Sequence, residues 1–369
     1  MEQLSKTNLT QFVNELKAIG KAAQDNSSKR DYWHMRFIGW QGKLAFIAGL
    51  AACYYHWFIA SSLLIAWSLM INWLLMHHIG HGGYNKIKGV PKRFHSKHYA
   101  IGWRRLLDWF DWIKPEAWNY EHNYLHHSFT GEVKDPDLVE ENLDWLANMK
   151  LPAFLKLVIL LLFAFTWKIS YYSARTLSFG RGMNEITFFN FIDIRQKSQR
   201  VMWFQLFLPY LTVHFIILPL LFEYFFSLGW AMFYCRLGAE LLHNLHTFII
   251  IVPNHSGDDL YRYQDIPKTE RGGEQYFLRQ IYGSANYSTG SEWIDLSHMY
   301  LNYQIEHHLF PQLPMRQYRI IQPQVKALCQ QYDVHYIQQS VWLRLWKMSQ
   351  IAVGEKHMLR SSGVDSQAK

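Results

Sequence analysis

From Leu44 to Met76 the chain runs for 33 residues without one formal charge. At 1.5 Å per residue such a run makes about 50 Å of helix, too long for one crossing of a ~30 Å hydrocarbon layer and long enough for two. It predicts a helical hairpin turning near Tyr55-His56-Trp57. A second uncharged run of 21 residues extends from Met202 to Phe222, and after Glu223 a third apolar run goes from Tyr224 to Val252, interrupted by Arg236 and Glu240. These predict a second hairpin, so that the two occupy about residues 37–76 and 202–252. A further apolar stretch, Leu157 to Trp167, is only 11 residues long and lies between Lys156 and Lys168. It is short for a span and suits an interfacial or re-entrant helix. The pattern as a whole predicts an all-α polytopic membrane domain: four spans in two hairpins, an interfacial helix and a helical cap.

Charge adds an orientation. No Lys or Arg lies between Lys43 and Lys86 or between Arg200 and Arg236, whereas Lys86 to Lys134 carries nine. By the positive-inside rule the termini and the polar segments face the cytoplasm and the hairpin tips face away from it. The formal net charge of +8 is thereby explained by the membrane, and no nucleic-acid partner is needed to account for it. An aromatic content of 17% with 18% charged residues excludes a disordered or fibrous chain. The first thirty residues lack an apolar signal-peptide core behind a basic start, so the first hairpin is expected to serve for insertion. The division expected is a cytoplasmic segment over 1–36, a membrane domain over 37–350 and a polar tail over 351–369, fraying from Gly354 onward.

The candidate chemistry is histidine chemistry. Cys53, Cys235 and Cys329 are far apart and form no CxxC pair, so a metal would be held by nitrogen or oxygen. Of 19 histidines, many fall in three groups: His77-His78-Ile79-Gly80-His81 after the first hairpin, His122-Asn123-Tyr124-Leu125-His126-His127, and Gln304-Ile305-Glu306-His307-His308 after the second. On a helix, positions i and i+4 share a face and i+5 lies about 100° further round. A pair can therefore chelate one ion while the adjacent third histidine reaches another. An even number of crossings separates the first two groups from the third, which puts all three on one side. Imidazole suits Zn, Cu, Fe and Ni alike. Seven histidines exceed what one tetrahedral zinc takes and point to two metals, an arrangement suited to activating oxygen against an apolar substrate beside lipid.

These groups, in spacing and order, resemble the histidine boxes HxxGH, HxxxHH and QxxHH of membrane fatty acid desaturases, especially the front-end and acyl-CoA or acyl-lipid branch. The flanks agree: His126-His127 runs into Asp135-Pro136-Asp137, and Gln304 to Pro314 reads QIEHHLFPQLP. The resemblance covers about residues 40–340. It implies two iron ions in a non-haem di-iron site that uses O2 and two electrons to form a C=C bond in a long acyl chain. Carried over to this chain, the metal ligands are His77, His81, His122, His126, His127, His307 and His308, with His255 of Asn254-His255 as the extra ligand that follows the last membrane helix. Gln304 stands where other branches have histidine, as a weak ligand or a group behind the ligands. His78 replaces a common Asp, either as a partner standing behind the ligands or as an exposed residue, the exposed reading being preferred. No His-Pro-Gly-Gly motif of a fused haem domain occurs, so the resemblance implies a separate electron donor of cytochrome or ferredoxin type.

A saturated chain has no polar handle, so an apolar tunnel must select it. Trp73, Trp109, Trp112, Tyr124 and Tyr303 are the candidate lining, and the basic segment Lys86–Arg105 is the expected meeting place for an acyl-CoA, acyl-carrier or lipid head group. Arg236, Glu240, His243 and Thr247 form a polar stripe inside the last span, read either as tunnel lining or as an ion pair that locks helices. His243 and His246 are reserve ligands. A zinc protease is unsupported because Asn123 and Tyr124 stand where its general base would be. A carboxylate di-iron bundle needs more Glu-x-x-His pairs than the one at Glu240–His243. A metal transporter would place its ligands at midplane depth within the spans. A lipid hydroxylase or ketolase keeps the same boxes and is the nearer alternative.

Overall fold

The computed structural model describes residues 6–187, 189–264 and 272–362. Helix Lys6–Asn26 buries Leu9, Phe12, Val13 and Leu16, an i, i+3, i+4, i+7 stripe. This stripe docks against helix Met315–Gln331, with the Phe12 and Tyr332 rings 5.5 Å apart. The N-terminal segment is thus part of the folded cap. At Ser28 the chain restarts as helix Lys29–Tyr54 through a capping box: Ser28 Oγ accepts from Arg30 N at 3.3 Å, and Asp31 Oδ2 accepts from Ser28 N at 2.8 Å. The other oxygen of Asp31 accepts from Arg316 Nε at 2.9 Å and Gln317 Nε2 at 3.0 Å. One carboxylate therefore starts the first hairpin and pins it to the cap.

The hairpin turns at Tyr55-His56-Trp57, as the pattern predicts, and returns as helix Phe58–Gly80. Its helices approach closely because a side chain on Gly42 or Gly49 would meet Ile71 or Ile65 at 2.7 Å. The second hairpin consists of helix Lys197–Phe226, a turn with Ser227 in the left-handed region (φ 57°), and helix Gly229–Ile251. The first of these contains π-helical turns at Met202–Phe207 and Thr212–Ile217. Pro209 has no N–H for the carbonyl of Gln205, and Arg105 Nη1 donates to that carbonyl at 2.7 Å instead. Phe58–Gly80 and Lys197–Phe226 are each long and apolar enough to cross a membrane.

The short apolar stretch forms helix Ala153–Ala164, bent by 76° against the helical segment Lys168–Ser178. Both flanking lysines turn inward. Lys156 Nζ donates to Ala147 O at 2.5 Å and Val353 O at 3.0 Å, satisfying carbonyls at two helix ends. Lys168 Nζ pairs with Asp111 Oδ2 at 3.0 Å.

The fold is mostly helical, but not wholly. Tyr261–Gln264 pairs in parallel with Leu359–Ser362. This corrects two expectations, an all-α chain and a tail that frays from Gly354. Arg262 anchors the strand to Glu140 (2.8 Å) and Glu141 (2.9 Å), and Lys347 and Lys356 pair with Asp258 and Asp259. The remainder of the tail, 363–369, lies outside the described residues.

Candidate metal centre

Each histidine group reaches the centre from a different element. His77 and His81 occupy one face at the end of helix Phe58–Gly80. His78 points the other way. It is buried, not exposed as expected, and its ring nitrogen lies 3.0 Å from Met299 O. His122, His126 and His127 stand in and just after a π-helical stretch, Asn119–His126. The wider i→i+5 turn brings both the fourth and the fifth following residue back over His122. The His126 and His127 rings accordingly lie 5.1 and 5.0 Å from that of His122. His255 ends a 3-10 turn, Val252–His255, where Pro253 breaks the preceding helix. Helix Gln304–Leu309 supplies His307 and His308.

Two constellations result. His77, His81, His122 and His307 bring one nitrogen each within 4.8 Å of one another, and His126, His255 and His308 do the same. His127 lies between them, its ring 4.6 Å from that of His81 and 4.3 Å from that of His308, with both nitrogens unpartnered. Asp137, with His122 and His126, forms a third set. His246 faces Ser297 O at 2.8 Å and does not join either constellation.

The surroundings orient the rings. Asp135 Oδ1 lies 2.8 Å from His126 Nδ1, Gln280 Oε1 lies 2.8 Å from His308 Nδ1, and Gly283 O lies 2.8 Å from His255 Nδ1. Tyr318 OH is 3.3 Å from His307 Nδ1. In the first three pairs Nδ1–H donates, so that Nε2 carries the lone pair. Gln304 Nε2 donates to His255 Nε2 at 2.8 Å, so Gln304 touches the site directly.

Burial, reinforced by neighbouring imidazoles, holds His81, His122, His127, His307 and His308 well below the usual histidine range, and His255 falls to about 3. Burial also acts on His126, but Asp135 and Asp137 outweigh it and raise that residue. A crowd of buried, neutral nitrogens with unpartnered atoms on His81, His122, His127 and His308 is a donor set that fits transition metals.

Beside this cluster opens a partly enclosed cavity. His77, His122, His126, His255 and Gln304 form its polar end, and Trp73, Phe163, Trp167, Tyr172 and Phe248 much of its apolar wall. Trp73 precedes His77 by one helical turn, so a single helix carries the wall and the ligand.

The sequence profile described as fatty acid desaturase matches residues 53–340. The chain belongs to the fatty acid desaturase family. It is therefore an oxidoreductase. Among its relatives, the NADPH-dependent stearoyl-CoA 9-desaturase of Mycobacterium tuberculosis is 23% identical over 90% of this chain and 76% of its own. The Delta 8-(E)-sphingolipid desaturase of Lachancea kluyveri is 25% identical over 69% of this chain and 46% of its own. The sn-1 linoleoyl-lipid 6-desaturase of Arthrospira platensis is 21% identical over 71% of this chain and 67% of its own. No solved structure matches.

In this desaturase, only Trp73 of the expected tunnel aromatics lines the cavity. Trp109 packs behind it, edge-on at 6.0 Å, and Trp112 Nε1 donates to Glu240 Oε2 at 3.2 Å. Tyr124 is exposed, and Tyr303 OH turns away to Asp295 at 3.0 Å. The polar stripe also sorts itself. Arg236 Nη2 lies 2.8 Å from Glu240 Oε1 on the same helix and 3.0 Å from Tyr210 OH on the preceding one, all three buried, so Tyr210 ties this pair to the neighbouring helix. His243 packs its ring 5.9 Å from Trp73, behind the wall.

Several residues at the site escaped sequence reasoning. Asp135 and Asp137 had a signal, the Asp-Pro-Asp flank. Gln280, Gly283 and Tyr318 had none. Glu121 is a buried carboxyl beside His122 that accepts from Tyr172 OH at 3.3 Å. Burial first, then Asp137 and Asp135, push its pKa well above the ordinary carboxylate range.

Proposed function

We propose that this desaturase introduces a C=C bond into a long acyl chain carried by coenzyme A, a carrier protein or a lipid, using O2 and two electrons. The observation that carries the reading is the convergence of eight histidines from four separate stretches of a family member, beside an apolar cavity. His77, His81, His122, His126, His127, His255, His307 and His308 would hold two iron ions, with Gln304 alongside. When bound, the metals supply the activation of O2 that removes two hydrogens from adjacent carbons.

The chain's own residues do the rest. Trp73, Trp167, Tyr172, Phe163 and Phe248 bind the hydrocarbon by excluding water and set which carbons lie beside the histidines. Asp135 and Gln280 hold two of the imidazoles in the tautomer that presents Nε2. Lys86, Lys88, Lys92, Arg93 and Lys97 are exposed and free to meet an anionic head group or the cytoplasmic leaflet. The names of the relatives, an acyl-CoA and two lipid desaturases, support coenzyme A and lipid as carriers.

Both hairpins are read as spanning, which makes four crossings within a membrane domain over 37–350. The nine basic residues of Lys86–Lys134 support a cytoplasmic side for termini and metal site. Electrons come from a separate donor of cytochrome or ferredoxin type. Expression in a host followed by mass spectrometry of its fatty acids tests the reading. A product two hydrogens lighter supports it; a product one oxygen heavier would turn it into a hydroxylase, and an unchanged profile across acyl-CoA and acyl-lipid substrates would remove it.

A further inference from the structure

We infer that Cys53 and Cys235 form a disulfide that ties the two hairpins together at the end of the molecule opposite the histidines. Cys53 is the next-to-last residue of helix Lys29–Tyr54, and Cys235 lies two turns into helix Gly229–Ile251. Each thus sits near the tip of a different hairpin. They meet in one apolar cluster with Phe222 and Met232, where Leu50 arrives from the first hairpin and Leu218 and Leu228 from the second. Both cysteines are buried, at 0% and 2% exposure. Cys235 Sγ also lies 3.5 Å from Phe58 O, at the start of the return helix. The neighbouring Tyr54 and Phe226 rings, 5.0 Å apart, are a second contact between the tips. A single buried cysteine behaves as a small apolar residue; two buried cysteines brought into one cluster from separate elements can be joined by an S–S bond.

The step balances as thiol–disulfide exchange. The two thiols lose two protons and two electrons and join through one S–S bond, while the disulfide of a small oxidant or an oxidoreductase breaks and takes up both as two thiols. That this happens in the cell rests on the topology proposed above, which puts the tips on the side away from the reducing cytoplasm. A bond joining residues 182 apart would constrain the unfolded chain strongly.

The test begins with membranes alkylated by N-ethylmaleimide at lysis, then denatured, digested and analysed by mass spectrometry without reduction. A peptide cross-linked through Cys53 and Cys235 is expected, lost in both Cys53→Ser and Cys235→Ser and retained in Cys329→Ser. Reduction of the wild-type protein should lower its melting temperature by several degrees and leave that of Cys53→Ser unmoved. Two outcomes overturn the inference. If maleimide occupies both thiols even after diamide treatment of the folded protein, the geometry is wrong. If diamide makes the link but the cell does not, the cellular disulfide is refuted. A cysteine placed at His56 in a Cys53→Ser/Cys235→Ser background reports topology separately, since a membrane-impermeant maleimide labels it in intact cells only if the tips face outward.

Discussion

His126 Nδ1 and Asp135 Oδ1 are 2.8 Å apart, and both residues are buried. The same Asp135 accepts from the backbone N–H of Gly131 at 2.8 Å and of Asp137 at 2.9 Å, so the loop after the second box is folded around the group that orients the box. Asp135→Ala should weaken metal binding on the order of 10–100-fold, the usual cost of losing a partner of a liganding histidine. Asp135→Asn, which keeps an acceptor for Nδ1–H, should lose less. Iron per polypeptide and turnover are the readouts; wild-type iron content in the alanine variant would remove Asp135 from this role.

His255 and His246 make opposite predictions. His255 stands in a constellation with His126 and His308, whereas His246 faces the Ser297 carbonyl. His255→Ala should lose iron and activity while still inserting into the membrane, and His246→Ala should keep both. The reverse pattern would move the assignment to His246. His126→Ala and His307→Ala are expected to behave as His255→Ala does.

Gln280 reaches His308 at 2.8 Å and Thr130 at 3.1 Å. Gln280→Leu fills the same space without an acceptor, so iron loading and turnover should both fall, and Gln280→Glu should restore part of each. Equal activity in all three proteins would show that packing and Thr130, whose Oγ1 lies 3.3 Å from His308 Nδ1, hold His308 without Gln280.

Phe248 lines the cavity from the second hairpin and is 3% exposed. Phe248→Ala should cost about 3–5 kcal/mol of stability through the space it opens. It should also shift the preferred acyl chain length, read from products of a substrate series. An unmoved preference would mean that the hydrocarbon does not pass Phe248.

Arg236 and Glu240 are both buried within helix Gly229–Ile251. Glu240→Ala leaves a charge unpaired there and should cost about 3–5 kcal/mol, whereas a paired replacement, Arg236→Met with Glu240→Leu, should be far milder. Thermal unfolding in detergent measures both; a single variant as stable as the wild type would argue that water reaches Arg236.

Local periodicity carries much of what could be read without coordinates. An uncharged run of 33 residues must turn back on itself, and it does so at Tyr55-His56-Trp57. Histidines four apart share a helix face whatever that helix packs against, so His77 and His81 were legible as a pair. The family boxes added His255 and Gln304, for which spacing offered nothing.

Tertiary structure alone decided the remainder, because each case depends on a partner distant in the chain. His78 is buried because Met299, 221 positions away, takes its ring nitrogen. Gln280 becomes the support of His308 only when helix Glu274–Tyr282 packs beside helix Gln304–Leu309. Trp109, Tyr124 and Tyr303 have the composition of a tunnel wall but not the position, and the tail becomes a strand because Tyr261–Gln264 offers it an edge. Spacing along a chain specifies which side chains leave an element together; where they arrive is set by the long-range packing and hydrogen bonds of the folded state.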